Sequence, residues 1–200
     1  SAIDILSSET GRSFSLCNSN SFTAFDRWLD SDWLKPSVLL CLSAELRESP
    51  KEGDGEAISL TLMLNRKHPS FPDAVQLHRP ERNKNGSLVK TLSRALLWGK
   101  LSPEDVKGSW VTGGNIIQRG QWSSACEENK LSFLMAEDNK NIDDLIGYTG
   151  VVAPWLAVAL AASLARYGKS QIIAVGTSMN EIWIAGITSG NNTGTLQDAL

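Results

Sequence analysis

The sequence predicts a single α/β domain in which helices pack against a mixed β-sheet. Its 200 residues, 42% of them apolar, are enough for one hydrophobic core of ordinary size. Apolar runs typical of strands alternate along the chain with segments in which apolar residues have helical spacing, and this alternation is the pattern of a mixed sheet covered by helices. We therefore treat residues 1–200 as one domain.

The first half of the chain contains one predicted helix and two predicted strands. A stripe of apolar side chains follows Ser21, a good N-cap residue, and predicts a short amphipathic helix. The compact apolar run at residues 38–42 predicts a central strand that is buried on both faces of the sheet. Ala57–Leu64 predicts a second strand. Residues 65–87 are polar and contain prolines, so we expect a loop-rich, exposed connection.

The second half begins with leucines at helical spacing that predict a helix ending at Gly99. Residues 102–105 have a cap sequence and predict one further helical turn. A strand is expected from Trp110 to Gly113. Residues 118–140 show only a weak amphipathic pattern and predict no secure element.

The last part of the chain predicts a helix followed by a β-hairpin. Residues 155–167 are rich in Ala and Leu, and Gly168 is placed to end that helix. Residues 171–175 and 182–187 then form the two strands of the hairpin. Residues 189–200 are rich in Gly, Asn and Thr and predict a frayed tail.

Composition excludes several classes of function. The net charge of -3 argues against nucleic-acid binding, which needs clustered basic residues. The longest apolar run, residues 151–165, is shorter than the roughly 20 residues that cross a bilayer, so it predicts a buried helix and no membrane span. Three cysteines without a C-x-x-C pattern indicate neither a disulfide framework nor a zinc site. We expect reduced thiols in a cytoplasmic protein that has no metal and no cofactor.

The order of these features resembles the C-terminal part of the thiolase-superfamily condensing enzymes, the β-ketoacyl synthases in particular. The similarity covers roughly residues 37–188 and implies half of a thiolase-like fold. Three segments are similar to family motifs: residues 52–57 resemble "GEGAGALVLE", residues 101–106 resemble "L-x-P-x-D-V", and residues 172–187 resemble the "NSFGFGGTNA" hairpin. Residues 110–115 stand where the family has "VxAHGTGT", and residues 147–148 stand where it has "TGH". The Ala-rich helix at 157–168 resembles the helix that follows "TGH".

The resemblance implies that the catalytic histidines are missing. Condensing enzymes of this family use a cysteine nucleophile and two basic side chains, usually histidines. Here Thr112 and Gly113 occupy the first histidine position and Tyr148 the second, and none of them can supply a cationic imidazole. His68 and His78, the two histidines of the chain, match no family motif. The resemblance therefore implies a cleft at Thr112, Gly113 and Tyr148 without the usual bases.

Three further positions have a functional and a structural interpretation. Cys17 precedes the first predicted helix at roughly the spacing expected for the nucleophile, although a free cysteine most often only packs. Tyr148 could donate a hydrogen bond in the cleft or be a partly buried tyrosine with a satisfied hydroxyl. The pair at residues 143–144 suits the start of a helix better than acid–base chemistry. Trp33 or Trp122, if exposed, would be candidate anchors for a partner.

The missing bases favour a non-catalytic thiolase-like module that acts in protein–protein association, as an adaptor or accessory domain. Its partner would be another protein or a complementary thiolase-like half. The alternative is a β-ketoacyl synthase-like acyl-thioester enzyme, or an acyl-carrier-binding protein, that uses Cys17; a reactive Cys17 would favour it. A third hypothesis is a small-ligand domain that uses the cleft at Thr112 and Tyr148, for which ligand-induced stabilisation would be the signature.

Overall fold

The computed structural model describes seven segments of the chain, separated by short gaps. These are residues 2–17, 21–31, 34–84, 86–113, 120–131, 138–177 and 181–190. The helices are α1 (Ala2–Thr10), α2 (Ser21–Ser31), α3 (Leu88–Gly99), α4 (Gln121–Glu128), α5 (Ile142–Ile146) and α6 (Ala153–Ala165); the strands are β1 (Val38–Glu45), β2 (Ala57–Leu64), β3 (Val75–Leu77), β4 (Glu81–Lys84), β5 (Val106–Thr112), β6 (Asn139–Asn141), β7 (Ser170–Gly176) and β8 (Glu181–Ser189).

Six strands form the mixed sheet that the sequence predicts. The order is β3-β8-β7-β5-β6, and β4 pairs with β8 beside β3. Strand β5 runs parallel to both β6 and β7, whereas β7 and β8 are the antiparallel hairpin predicted from the sequence. The carboxyl ends of β5 and β7 therefore meet at one edge of the sheet.

Helices cover both faces of this sheet. Alternate residues of β7 point to opposite sides, so Ile173 and Val175 pack with α2 and α6, whereas Ile172 and Ala174 pack with α3 and α4. Such a doubly covered strand is apolar along its whole length, and β7 is buried from Ser170 to Val175. This confirms the predicted mixed α/β fold.

The Ala-rich helix α6 lies between the main sheet and the hairpin formed by β1 and β2. It packs on β5, β7 and β8 on one side and on β2 on the other. Its buried positions cover more than half of its circumference, and the side with Ala159 and Ser163 is exposed. None of the described helices is long and apolar enough to cross a membrane.

Strand β1 differs from the predicted central strand. It pairs with β2 in a separate two-stranded sheet, with a regular register from Val38↔Leu64 to Glu45↔Ala57. Only the face with Leu39, Cys41 and Met63 packs on the core. The prediction of burial on both faces is therefore wrong for the described residues, because an apolar run cannot tell a covered face from an uncovered one.

Two further differences come from long-range pairing. The predicted loop at residues 65–87 contains β3 and β4, which have no strand pattern of their own and form because both bond to β8. Ser189, assigned to the frayed tail, is the last residue of β8 and pairs with Val75. Helix α1 was not predicted, and α4 and β6 lie in the segment where no secure element was expected.

The tryptophans are mostly core residues. Trp122 is fully buried in α4, because one face of the otherwise polar α4 packs against α3. The exposure that would make it a candidate anchor is therefore absent at this residue. Trp98 is half exposed instead. Trp33 and residues 191–200 lie outside the described residues.

Candidate functional site

Thr112 and Gly113 lie together at the carboxyl end of β5, next to the first turn of α5. The hydroxyl of Thr112 donates a hydrogen bond of 2.6 Å to Oδ1 of Asp143, and the backbone N–H of Gly113 donates one of 2.8 Å to Oδ2. Asp143 is thus more than the helix-terminal charge expected from the sequence. It holds the end of β5 in place with both carboxylate oxygens.

The backbone turns sharply at Gly113. Its φ of +89° lies in the left-handed region that favours glycine. A Cβ at this position would also collide with the backbone of Gly176 at the end of β7. The two parallel strands therefore end in close backbone contact, and α5 and the segment after it adjoin the end of β5.

Tyr148 lies on that segment. Its backbone N–H donates to the carbonyl of Gly53 at 2.8 Å, and its own carbonyl accepts from the N–H of Gly55 at 3.0 Å, so it forms a parallel bridge with Asp54. Burial raises the pKa of the Tyr148 hydroxyl, and the charges of Asp143 and Glu45 raise it further. The hydroxyl is therefore protonated and available as a donor near neutral pH.

A charged network from the β1–β2 connection adjoins Tyr148. The guanidinium of Arg47 lies 3.1 Å from Glu45 and 3.2 Å from Asp54, and it donates to the carbonyl of Tyr148 at 3.4 Å. Glu45 also accepts from the N–H of Val151 at 3.3 Å, in the 3-10 turn that leads into α6. The positive charge of Arg47 is thus satisfied by two carboxylates.

Thr112, Gly113, Asp143 and Tyr148, which we call the cluster, include hydrogen-bond donors and acceptors but no imidazole. The ring Nε2 of His78 lies 2.9 Å from the hydroxyl oxygen of Thr188, and the backbone N–H of His78 donates to the carbonyl of Gly186. Both partners lie at the opposite end of the main sheet from Thr112. His68 lies in the exposed loop after β2. Within the described segments no group of three or more His, Cys, Asp and Glu side chains could hold a metal ion.

Comparison with known proteins identifies the fold. No family model and no curated protein sequence matches the chain. Solved structures do. OleA of Xanthomonas campestris matches with a TM-score of 0.56 at 13% identity, over 94% of this chain and 69% of that one. The chain has a thiolase-like fold.

Two other solved structures agree. A type II polyketide ketosynthase, solved in complex with its acyl-carrier protein, matches with a TM-score of 0.62 at 14% identity, over 93% of this chain and 63% of that one. The 3-oxoacyl-(acyl carrier protein) synthase III of Xanthomonas oryzae matches with a TM-score of 0.55 at 12% identity, over 94% and 71%. All are thiolase-superfamily condensing enzymes, and the chain spans about two thirds of their length.

Cys17 lies in the segment between α1 and α2 of this thiolase-like fold and is exposed. Cys41 on β1 is half-buried, and its pKa is raised to about 12, first by burial and then by the neighbouring Cys17 thiol. Burial likewise raises the pKa of Cys126 in α4. Cys17 is therefore the most accessible of the three thiols, and it lies near Cys41.

Sequence reasoning assigned Ser21 only a capping role, whereas the structure gives it two unusual features. Its φ of 54° is rare for a residue other than glycine, and its hydroxyl is buried without a hydrogen-bond partner in the described part of the chain. The next residue, Phe22, packs against Trp155 and Trp183. Trp183 is the cross-strand partner of Val175, and Val175 is the cross-strand partner of Thr112. Because Phe22 packs on Trp183, α2 begins at Ser21 on the same side of the sheet as the cluster. No sequence signal marks such a strained serine.

Proposed function

We propose that this chain is a non-catalytic thiolase-like module that acts in protein–protein association, as an adaptor or accessory domain. The observation that carries the proposal is the outward face of the hairpin, which we define as the side chains of β1 and β2 that point away from α6. Val38, Leu42, Ile58, Leu60 and Leu62 on this face are each between 52 and 67% exposed.

The arrangement of the outward face distinguishes it from scattered surface hydrophobics. The pairs Leu40↔Leu62 and Leu42↔Leu60 lie side by side in the register, so the exposed side chains form one contiguous patch. Isolated apolar residues on a surface need no explanation, whereas contiguous patches mark interaction sites. A partner that covered the patch would remove this apolar area from water, which is the main favourable term in association.

The cluster at Thr112, Gly113 and Tyr148 supports the non-catalytic part of the proposal. Tyr148 carries no positive charge, the charge of Arg47 is offset by Glu45 and Asp54, and the carboxylate of Asp143 accepts hydrogen bonds from Thr112 and Gly113. Decarboxylative condensation needs groups that stabilise a developing negative charge. Carboxylates around the cluster would oppose such a charge.

The test compares two charged variants in the native cell. Leu60→Glu places a charge on the outward face, whereas Leu97→Glu does so on the exposed side of α3. We expect the tagged wild-type chain and Leu97→Glu to sediment as part of a larger assembly, and Leu60→Glu to sediment without it. Equal thermal unfolding of the two purified variants is the control for folding. If Leu60→Glu sedimented in the same larger assembly as the wild-type chain does, the proposal would be contradicted.

The accessibility of Cys17 favours a second candidate, an acyl-thioester enzyme or acyl-carrier-binding protein, and one of the similar structures is a ketosynthase bound to its acyl-carrier protein. Iodoacetamide alkylation of Cys17 against pH, with Cys41 and Cys126 replaced by serine, tests it. Fast alkylation below pH 7 would support a nucleophile, since only the thiolate reacts. Alkylation at the rate of an ordinary thiol would contradict this second candidate and leave association as the proposed function.

A further inference from the structure

The three thiols of the chain are divided between the two faces of the main sheet. Cys41 lies on the face of β1 that packs on the core, in the same layer as Leu29 of α2. Cys17 is exposed in the segment that leads into α2 at Ser21. Cys126 packs with α3 and α4 on the opposite face of the sheet. The sheet therefore separates Cys126 from Cys41, and Cys17 is the thiol that can approach Cys41.

The thiols of Cys17 and Cys41 lie close together. Burial, and then the charge of Cys17, raises the pKa of Cys41 to about 12. At physiological salt, charges more than about 10 Å apart are largely screened, so this mutual effect requires neighbouring sulfur atoms. Residues 12–17 belong to no helix or strand. This exposed segment can therefore supply the movement that brings the two Cα atoms to the roughly 4.4 to 6.8 Å that a disulfide spans.

We propose that Cys17 and Cys41 form a reversible disulfide whose oxidant is glutathione disulfide, and that the bond fastens the β1–β2 hairpin to the segment before α2. The free thiols of the structure are the reduced state of this site. In the oxidised state the unfolded chain contains a closed loop of about 25 residues, so its conformational entropy falls and the folded state becomes more stable. This modification goes beyond the proposed function, because it holds the hairpin in place whether or not a partner covers the outward face.

The exposed thiol of Cys17 reacts first, because the thiolate is the nucleophile and the raised pKa of Cys41 keeps that thiol protonated. Cys17 gives up its proton and its sulfur attacks glutathione disulfide. The S–S bond of glutathione breaks, a mixed disulfide forms, and one glutathione leaves as a thiol. The sulfur of Cys41 then loses its proton and attacks the sulfur of Cys17, and the second glutathione leaves with that proton. Two cysteine thiols are thus oxidised, and one glutathione disulfide is reduced to two glutathione thiols.

The experiment equilibrates the purified chain with glutathione disulfide, blocks the remaining thiols with iodoacetamide in denaturant, and identifies linked peptides by mass spectrometry without reduction. We expect the wild-type chain and Cys126→Ser to give a linked pair of the Cys17 and Cys41 peptides, and Cys17→Ser to give none. The melting temperature of the oxidised wild-type chain should exceed that of the reduced chain by at least about 5 °C. Cys17→Ser is the matched control, because it changes an exposed position and its melting temperature should not respond to the oxidant.

Each outcome supports the inference or overturns it. No oxidation, or glutathione attached to Cys17 while Cys41 stays free, would overturn it. A linkage between two chains, seen as a dimer on a denaturing gel without reductant, would overturn it as well. A linked pair that left the melting temperature unchanged or lowered it would show that the bond does not fasten the hairpin. The Cys17–Cys41 pair within one chain, together with the higher melting temperature, would support the inference.

Discussion

The hydroxyl of Thr112 and the carboxylate of Asp143 are joined by a hydrogen bond of 2.6 Å, which ties the end of β5 to the first turn of α5. The two residues are 31 positions apart, and the N–H of Gly113 binds the other oxygen of the same carboxylate. Thr112 is fully buried, so this bond replaces water that its hydroxyl cannot reach.

Replacing Asp143 should destabilise the protein more than replacing its neighbour. Asp143→Ala leaves a buried hydroxyl and a backbone N–H without their acceptor, and we expect a loss of about 1 to 3 kcal/mol in the free energy of unfolding. Asp144→Ala is the matched control, because Asp144 is exposed in the same helical turn and shares the interaction with the helix dipole. Urea denaturation measures both; equal losses would mean that the bonds to β5 contribute nothing.

Gly113 should tolerate no side chain. Gly113→Ala combines a positive φ with a collision against the backbone of Gly176, and we expect a loss of about 2 to 4 kcal/mol. Gly120→Ala provides the comparison, since Gly120 also has a positive φ but open space around it, and about 1 kcal/mol is expected there. Thermal unfolding of the two variants should separate the backbone strain of a positive φ from the steric overlap with Gly176. Equal losses of stability would argue against the close approach of β5 and β7.

Arg47 should matter more than an exposed arginine. Arg47→Met leaves Glu45 and Asp54 without their shared cation, and we expect about 1 to 2 kcal/mol of destabilisation. Arg94→Met removes an arginine that is 56% exposed, and its partner Glu81 still accepts a hydrogen bond from the indole N–H of Trp98, so the effect should stay within about 0.5 kcal/mol. Urea titrations at low and high salt provide the measurement. A loss for Arg47→Met no greater than that for Arg94→Met would show that the network is not stabilising.

His78 should make stability depend on pH. Burial, and then the nearby charge of Lys100, lowers the pKa of His78 below its ordinary value of 6.5, so the unfolded chain binds the proton first. The contribution is present in full above pH 6.5 and is lost as the pH falls towards the lowered pKa of the folded state. The free energy of unfolding should therefore fall between pH 7.5 and 5.

Two variants identify the histidine responsible for that loss. His78→Gln removes the titrating group and can still bond to Thr188, so the fall in stability with acid should become shallower. His68→Gln changes a histidine in an exposed loop and should leave the slope unchanged. An unchanged slope in His78→Gln would place the acid sensitivity elsewhere.

Local patterns predicted the helices and strands that carry their own periodicity, including α3, α6 and the β7–β8 hairpin. Strands β3 and β4 could not be predicted, because a three-residue and a four-residue polar strand exist only through their bonds to β8. The outward face of β1 was missed for a related reason. Leu42 and Leu60 look like core residues in the sequence, and only the tertiary arrangement shows that nothing described covers them.

The resemblance selected Thr112, Gly113 and Tyr148, and their role in a cleft stays a prediction. The structure places Thr112 and Gly113 in hydrogen-bond contact with Asp143, whose charge also acts on the hydroxyl of Tyr148. The contacts of Asp143 with β5 could not be inferred from its position in a helical turn, because they depend on how α5 meets the end of the sheet. Arg47 and Glu45 were missed as well, since they lie about 100 residues from Tyr148 and Val151 and meet them only through folding.

Helix α6 lies between two sheets, and this position determines how the molecule should unfold. If the hairpin detached first, one apolar side of α6 would be exposed to water; if the main sheet opened first, the other side would be. Neither sheet can leave without weakening the support of the other through the helix they share. The hairpin and the main sheet should therefore be lost in one cooperative transition, with α6 as the element that couples them.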